Sequence, residues 1–245
     1  MEGLANFKEE VLNTCRHAYL YNDCAGFIPP SLIIQLDAHN GRTTAVRYIA
    51  DEYKKANVLD FYTGINDYIE LEFNETLSRA EEELAKITAA ADYGNKFSGI
   101  IGADVIALAQ NTSAAQLFLD GFFENFDGVA LFFVPEKPSE SERRFIEQML
   151  ARMERIKMIP ADSYSASDYF RMLEQRLYSS GVLVSGMVSD DKLLKVITDA
   201  NVKNIRELDG IIRLLLLHAD FSGETPLVTP ESVKNTLCTV KEIKK

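Results

Sequence analysis

Short apolar runs alternate with amphipathic stretches across residues 1–160, and that alternation restricts the chain to one broad architecture. Leu32–Leu36, Tyr68–Phe73, Ser98–Ala103, Gly128–Val134 and Arg155–Ile159 read as strands, two of them stopped by Pro135 and Pro160. Between them, residues 43–55, 75–92, 112–125 and 139–154 carry apolar side chains at helical spacing. Residues 4–21 open the chain with another such helix, through Leu4, Phe7, Val11, Leu12 and Cys15, and Phe27-Ile28-Pro29-Pro30 ends any helix ahead of the first strand. Strands that are apolar throughout are buried on both faces, so the order predicts an α/β fold: a parallel sheet with crossover helices on either side.

From Ser165 onward the pattern is helical alone, over 165–179, 189–200, 204–219 and 230–238. Thr229-Pro230-Glu231 reads as a helix N-cap followed by proline in the first turn. The expected organisation is an α/β domain over 1–161 and a small all-helical domain over 162–245, with the boundary near Ala161-Asp162-Ser163.

Charge narrows the function. The 245 residues carry a formal net charge of -11, which opposes the phosphate backbone of DNA or RNA and makes proteins the expected partners. Cys15, Cys24 and Cys238 have neither zinc-site nor redox-pair spacing, which suits a reducing compartment. The N-terminus is acidic without an apolar signal core, and no apolar run approaches membrane-spanning length, so a cytoplasmic protein is expected.

The most informative segment joins the first strand to its helix. A phosphate-binding loop has the form GxxxxGK[ST]: backbone amides and the helix N-terminus cradle phosphates, lysine neutralises charge, and the hydroxyl holds Mg²⁺. Here the octet is Leu36-Asp37-Ala38-His39-Asn40-Gly41-Arg42-Thr43. The second glycine and the threonine are present, whereas Leu36 and Arg42 stand at the first glycine and at the lysine.

The helix that follows, Thr43-Thr44-Ala45-Val46-Arg47-Tyr48-Ile49-Ala50-Asp51-Glu52-Tyr53-Lys54-Lys55, resembles the one after the phosphate loop of AAA+ P-loop ATPases of the CbxX/CfxQ type. In element order the resemblance extends over roughly residues 30–238. It implies a P-loop NTPase-type sheet followed by a helical lid, a site for ATP or ADP with Mg²⁺, and self-association or protein partners. Asn40, Gly41, Arg42, Thr43 and Thr44 would surround the phosphates, and Thr43 and Asp104 would serve Mg²⁺.

By the same resemblance, Val105 replaces the water-activating glutamate and cannot act as a base. Phe133-Val134-Pro135 supplies no polar sensor. Lys203, in Asn201-Val202-Lys203-Asn204-Ile205-Arg206, stands at the lid arginine, and Leu227-Val228-Thr229-Pro230-Glu231-Ser232-Val233 resembles the start of the last lid helix. The expectation is a degenerate AAA+ module, a scaffold or regulatory subunit with weak or absent hydrolysis. The alternatives are a slow ATPase using Arg42 and Thr43, and a clamp-loader-like subunit.

Plainer readings stand beside these. Gly41 could serve a tight turn, and Asp104 could cap one. His39 reads as an exposed loop residue, and Glu81-Glu82-Glu83 as a solvated helix face. Arg143, Arg144, Arg152 and Arg155 read as charged surface or, by analogy, an inter-subunit finger. Leu214–Leu217 reads as lid core or as a docking surface in an oligomer.

Overall fold

The structure, a computed structural model, describes residues 3–20, 29–37, 39–59, 68–91, 96–153, 155–160 and 164–243. Ala38, Cys24, the Phe27-Ile28 helix stop and the expected boundary at Ala161–Ser163 lie outside the described residues. The chain divides into two compact units, Gly3–Asp162 and Ser163–Lys245.

In the first unit, five strands form one parallel sheet: β1 (Ser31–Gln35), β2 (Tyr68–Glu72), β3 (Ile100–Asp104), β4 (Val129–Val134) and β5 (Ile156–Ile159). Their spatial order is β2-β3-β4-β1-β5, so β1 is interior and β2 and β5 are edges. Every residue of β4 is buried, in keeping with its unbroken Val-Ala-Leu-Phe-Phe-Val run. The helices are α1 (Ala5–Leu20), α2 (Arg42–Lys55), α3 (Leu77–Ala90), α4 (Thr112–Asn125) and α5 (Glu140–Arg152).

Side chains alternate across the sheet. Ile33, Leu71, Ile101, Ala103, Ala130, Phe132 and Val134 join one core with Phe118 and Phe122 of α4, Ile87 of α3 and Met149 of α5. On the opposite face α2 lies over β3, where Gly102 leaves room for Val46. Local capping fixes where helices start: Thr76, Asn111 and Ser139 each accept from amides of the next turn, Ser139 in a reciprocal box with Glu142. A 3-10 turn, Ile106–Gln110, joins β3 to α4.

One sequence expectation fails here. Glu83 is not on a solvated face but is fully buried. It receives Arg79 at 2.6 Å and Lys86 at 2.7 Å, and accepts from the Glu72 amide at 3.3 Å. Glutamates one residue apart on a helix point about 100° apart, so a charge run spans both faces.

The second unit packs α6 (Ala166–Ser179), α7 (Asp190–Ala200), α8 (Ile205–Leu217) and α9 (Pro230–Ile243) around Leu173, Leu193, Val196, Leu208 and Leu215. The expected cap at α9 is present: Ser232 N–H donates to Thr229 Oγ1 at 3.2 Å. The helix runs past 238 because Val240 continues its buried stripe. Two short strands, β6 (Leu183–Val184) and β7 (Leu227–Val228), pair in parallel; two residues are too few to show a period in sequence. In the Leu214–Leu217 run, Leu215 is core whereas Leu217 is 72% exposed. Among the described residues no helix is long and apolar enough to cross a membrane.

Candidate functional site

The connection leaving β1 runs through α2 to the edge strand β2, while the connection leaving its neighbour β4 runs through α5 to β5 on the far side of β1. Adjacent strands whose connections diverge open a crevice at their carboxyl ends, where α/β proteins place ligands. Two bonds hold the segments there together. The Leu36 amide donates to the Val134 carbonyl at 2.7 Å, and the Glu136 amide donates to Asp37 Oδ1 at 3.1 Å.

Between β1 and α2 the backbone curls. The Asn40 amide turns back to the Asp37 carbonyl at 3.3 Å, and exposed His39 takes a left-handed φ of 66°. Gly41 follows at φ 88°, ψ 31°, a conformation costly for a residue with a Cβ. Its carbonyl accepts from the Ala45 amide at 2.9 Å and so begins α2. Gly41 has no side chain to cap that helix, and none does so among the described residues, so its first-turn amides and its dipole are offered to the crevice.

Arg42, the first residue of α2, turns its guanidinium back on the loop. Nε and Nη2 donate to the Leu36 carbonyl at 3.3 and 3.0 Å, and Nη1 forms an ion pair with Asp104 at the end of β3. The guanidinium carbon sits 5.6 Å from the centre of the Phe133 ring, a cation–π contact. Only 18% of the Arg42 side chain is exposed, against 40% for Asp104. Burial pulls the Arg42 pKa below its ordinary value, while the charge of Asp37 acts the other way; the group stays cationic.

Thr43 Oγ1 donates to Glu70 Oε2 at 2.7 Å, and Thr44 is exposed. Asp104 also accepts from the Ile106 amide at 3.4 Å, so it caps the 3-10 turn as well as pairing with Arg42. Val105 is fully buried among the core side chains. Among the described residues no cluster of three or more His, Cys, Asp or Glu could hold a metal.

Arg42, Leu36 and Asp104 are thus brought into contact, with Asn40 and Gly41 shaping the curl. Lys203 belongs to the second unit, where its amide donates to Glu207 Oε2 at 2.8 Å beside the Asn204 cap of α8. Of the arginines read as charged surface, Arg152 pairs with Asp120 at 2.6 Å and Arg143 donates to the Pro138 carbonyl. The sequence reading missed Glu70 and Phe133 as neighbours of the loop. A parallel sheet places Asp104 level with Phe133, and Glu70 level with Gly102, but that register is a tertiary property. The arrangement can meet an anion with the α2 amides, while its cation and its carboxylate already neutralise one another.

Neither a known protein family nor a curated protein matches the sequence. Among solved structures the chain is similar to RuvB of Thermotoga maritima, described as a Holliday junction branch migration motor. The TM-score is 0.62 at 11% identity, over 97% of this chain and 70% of that chain. A proline-to-glycine variant of RuvB gives a TM-score of 0.63 at 11% identity, over 98% and 71%. The molecule therefore has the α/β fold seen in RuvB.

Proposed function

We propose that this chain is a AAA+-type module with degraded catalytic motifs, related to the CbxX/CfxQ type, that serves as a scaffold or regulatory subunit and hydrolyses ATP weakly or not at all. The observation that carries this reading is the internal consumption of its charges. The guanidinium of Arg42, which would meet phosphate, is held by the Leu36 carbonyl and by Asp104. Asp104, which would serve Mg²⁺, is thereby neutralised, and the position of the catalytic base holds buried Val105. A planar guanidinium also does not substitute for an ammonium inside a phosphate loop without moving it.

In this reading residues 1–161 form the degenerate nucleotide-binding domain and residues 162–245 the lid. The net charge of -11 favours protein partners or self-association over direct nucleic-acid contact, in a cytoplasmic setting.

The second reading is a slow ATP-binding ATPase. It is favoured by one observation, the uncapped α2 N-terminus behind a left-handed Gly41 at the sheet's carboxyl edge. There Asn40, Gly41, Arg42, Thr43 and Thr44 would hold the phosphates, Thr43 and Asp104 would attend Mg²⁺, and Lys203 would reach in from the lid.

Thermal unfolding with and without millimolar ATP and Mg²⁺ separates the two, since a ligand of the folded state raises the melting temperature by mass action. The scaffold reading expects no shift beyond that of matched salt. A nucleotide-specific rise that Arg42→Ala abolishes overturns it in favour of the second. Size-exclusion with light scattering tests association, and a strict monomer at high concentration counts against a subunit role.

A further inference from the structure

Helix α8 presents a face that the second unit leaves uncovered. Its inner face, Leu208, Ile211, Ile212 and Leu215, is buried in the core. Arg206, Gly210, Arg213 and Leu217 recur at helical spacing on the opposite face, and all four are exposed. Phe221, just past the end of the helix, is 64% exposed. Single apolar side chains at a surface are ordinary, so the glycine is the more telling residue.

Glycine is among the least favourable residues inside a helix, yet Gly210 sits in the middle of α8. It is not there for a left-handed backbone, since its φ is not positive. It is not there for a neighbour either. Gly102 and Gly128 have atoms of the fold against them, whereas a Cβ built on Gly210 meets nothing within 4 Å. A glycine in that position lowers the helix face and lets a second backbone come close.

The charges say which backbone. Arg213 makes no ion pair or hydrogen bond among the described residues, and the carboxylate beside it, Asp209, is paired with Arg176 of α6. Glu207 is exposed; it accepts from the Lys203 amide at 2.8 Å and from Asn204 Nδ2 at 3.2 Å, and a carboxylate has capacity for more. Positions 207 and 213 lie equally far from Gly210 on either side. A second α8 laid antiparallel across Gly210 therefore sets Arg213 of each copy opposite Glu207 of the other. It also sets Leu217 level with Lys203, whose aliphatic stem covers apolar surface. A parallel pairing would set Arg213 against Arg213.

We propose that α8 is the contact face of a two-fold dimer, in which two copies of this chain pair antiparallel across Gly210. The inference rests on the reading of the chain as an associating subunit and gives that association a surface; it is indifferent to whether nucleotide occupies the loop after β1. A two-fold contact uses the same patch on both copies and closes at two. One helix from each copy makes a small contact, so the dimer is weak and reversible.

Sedimentation equilibrium of the full chain across a range of concentrations tests this. The expected result is a monomer–dimer equilibrium without larger species. Gly210→Gln thrusts a side chain into the crossing, and Arg213→Glu sets carboxylate against carboxylate; each should raise the dimer dissociation constant about tenfold or more. Lys195→Glu, the same charge reversal on an exposed residue of α7, should leave it unchanged. Glutamine is a better helix former than glycine, so a urea midpoint in dilute solution no lower than that of the wild type shows that Gly210→Gln has kept the fold. A dimer as tight in Gly210→Gln or in Arg213→Glu as in the wild type, or masses that climb past two copies, overturns the proposal and leaves the subunit reading standing. A monomer at every concentration overturns the proposal and counts against the subunit reading as well.

Discussion

Arg42 and Asp104 stand 62 positions apart in sequence and form an ion pair across the carboxyl edge of the sheet. The pair ties the start of α2 to the end of β3, with Phe133 of β4 lying against the guanidinium. Because both side chains keep partial access to water, their coupling is expected at about 1 kcal/mol rather than at the scale of a sealed pair. A double-mutant cycle of Arg42→Ala and Asp104→Ala, followed by urea unfolding, measures it. Strict additivity would show that the two charges are solvated separately and would remove the main support for the scaffold reading.

The same helix is positioned from below by a glycine. A Cβ built on Gly102 would lie 2.2 Å from Val46 Cγ2, far inside contact distance. Gly102→Ala is therefore expected to cost about 2 kcal/mol by pushing α2 off β3. Val46→Ala in the same chain should recover part of that loss, so the two changes together destabilise less than their sum. A Gly102→Ala protein with an unchanged urea midpoint would mean that α2 is not seated on β3.

Much of this was legible in the sequence, and its limits are instructive. Leu32–Leu36 and Gly128–Val134 gave themselves away as interior strands because both faces had to be apolar, and Thr229-Pro230 marked the start of α9 by local chemistry alone. Gly41 could be singled out as a turn residue before its left-handed backbone was seen. The partners of the loop could not. Asp104 and Glu70 reach it only through strand register, which depends on the whole sheet, and the inward turn of Arg42 depends on the Phe133 ring beneath it. Glu83 was misplaced for a related reason: nothing near it in sequence shows that the end of β2 offers it a free amide.

That buried glutamate yields a sharper prediction. Glu83 is fully buried, and it binds Arg79, Lys86 and the Glu72 amide, so it anchors α3 to the end of β2. Glu83→Ala is expected to cost about 2 kcal/mol, since it strands a backbone amide while its two cations can turn to water. Lys86→Ala, on a side chain 47% exposed, should cost under about 0.5 kcal/mol. Equal effects of the two substitutions, read from urea midpoints, would show that Glu83 acts only as a surface charge.

The second unit should respond to alkali through two tyrosines. Tyr164 and Tyr169 pack with ring centres 5.5 Å apart. Burial is the main cause that pushes each phenol from its ordinary 10.0 up to about 12, with the other ring and Asp168 adding to it at Tyr164, and Glu207 and Asp168 at Tyr169. The folded unit therefore keeps protons that the unfolded chain releases between these values. Stability from this source is complete below pH 10.0 and declines as the pH rises toward about 12, because the unfolded state binds fewer protons throughout that window. Tyr164→Phe removes one of the two ionisations and should flatten the decline without changing its position. Urea midpoints collected across the window, with tyrosinate formation followed by absorbance, test this. A slope identical in the wild type and in Tyr164→Phe would place the Tyr164 hydroxyl in water in the folded protein.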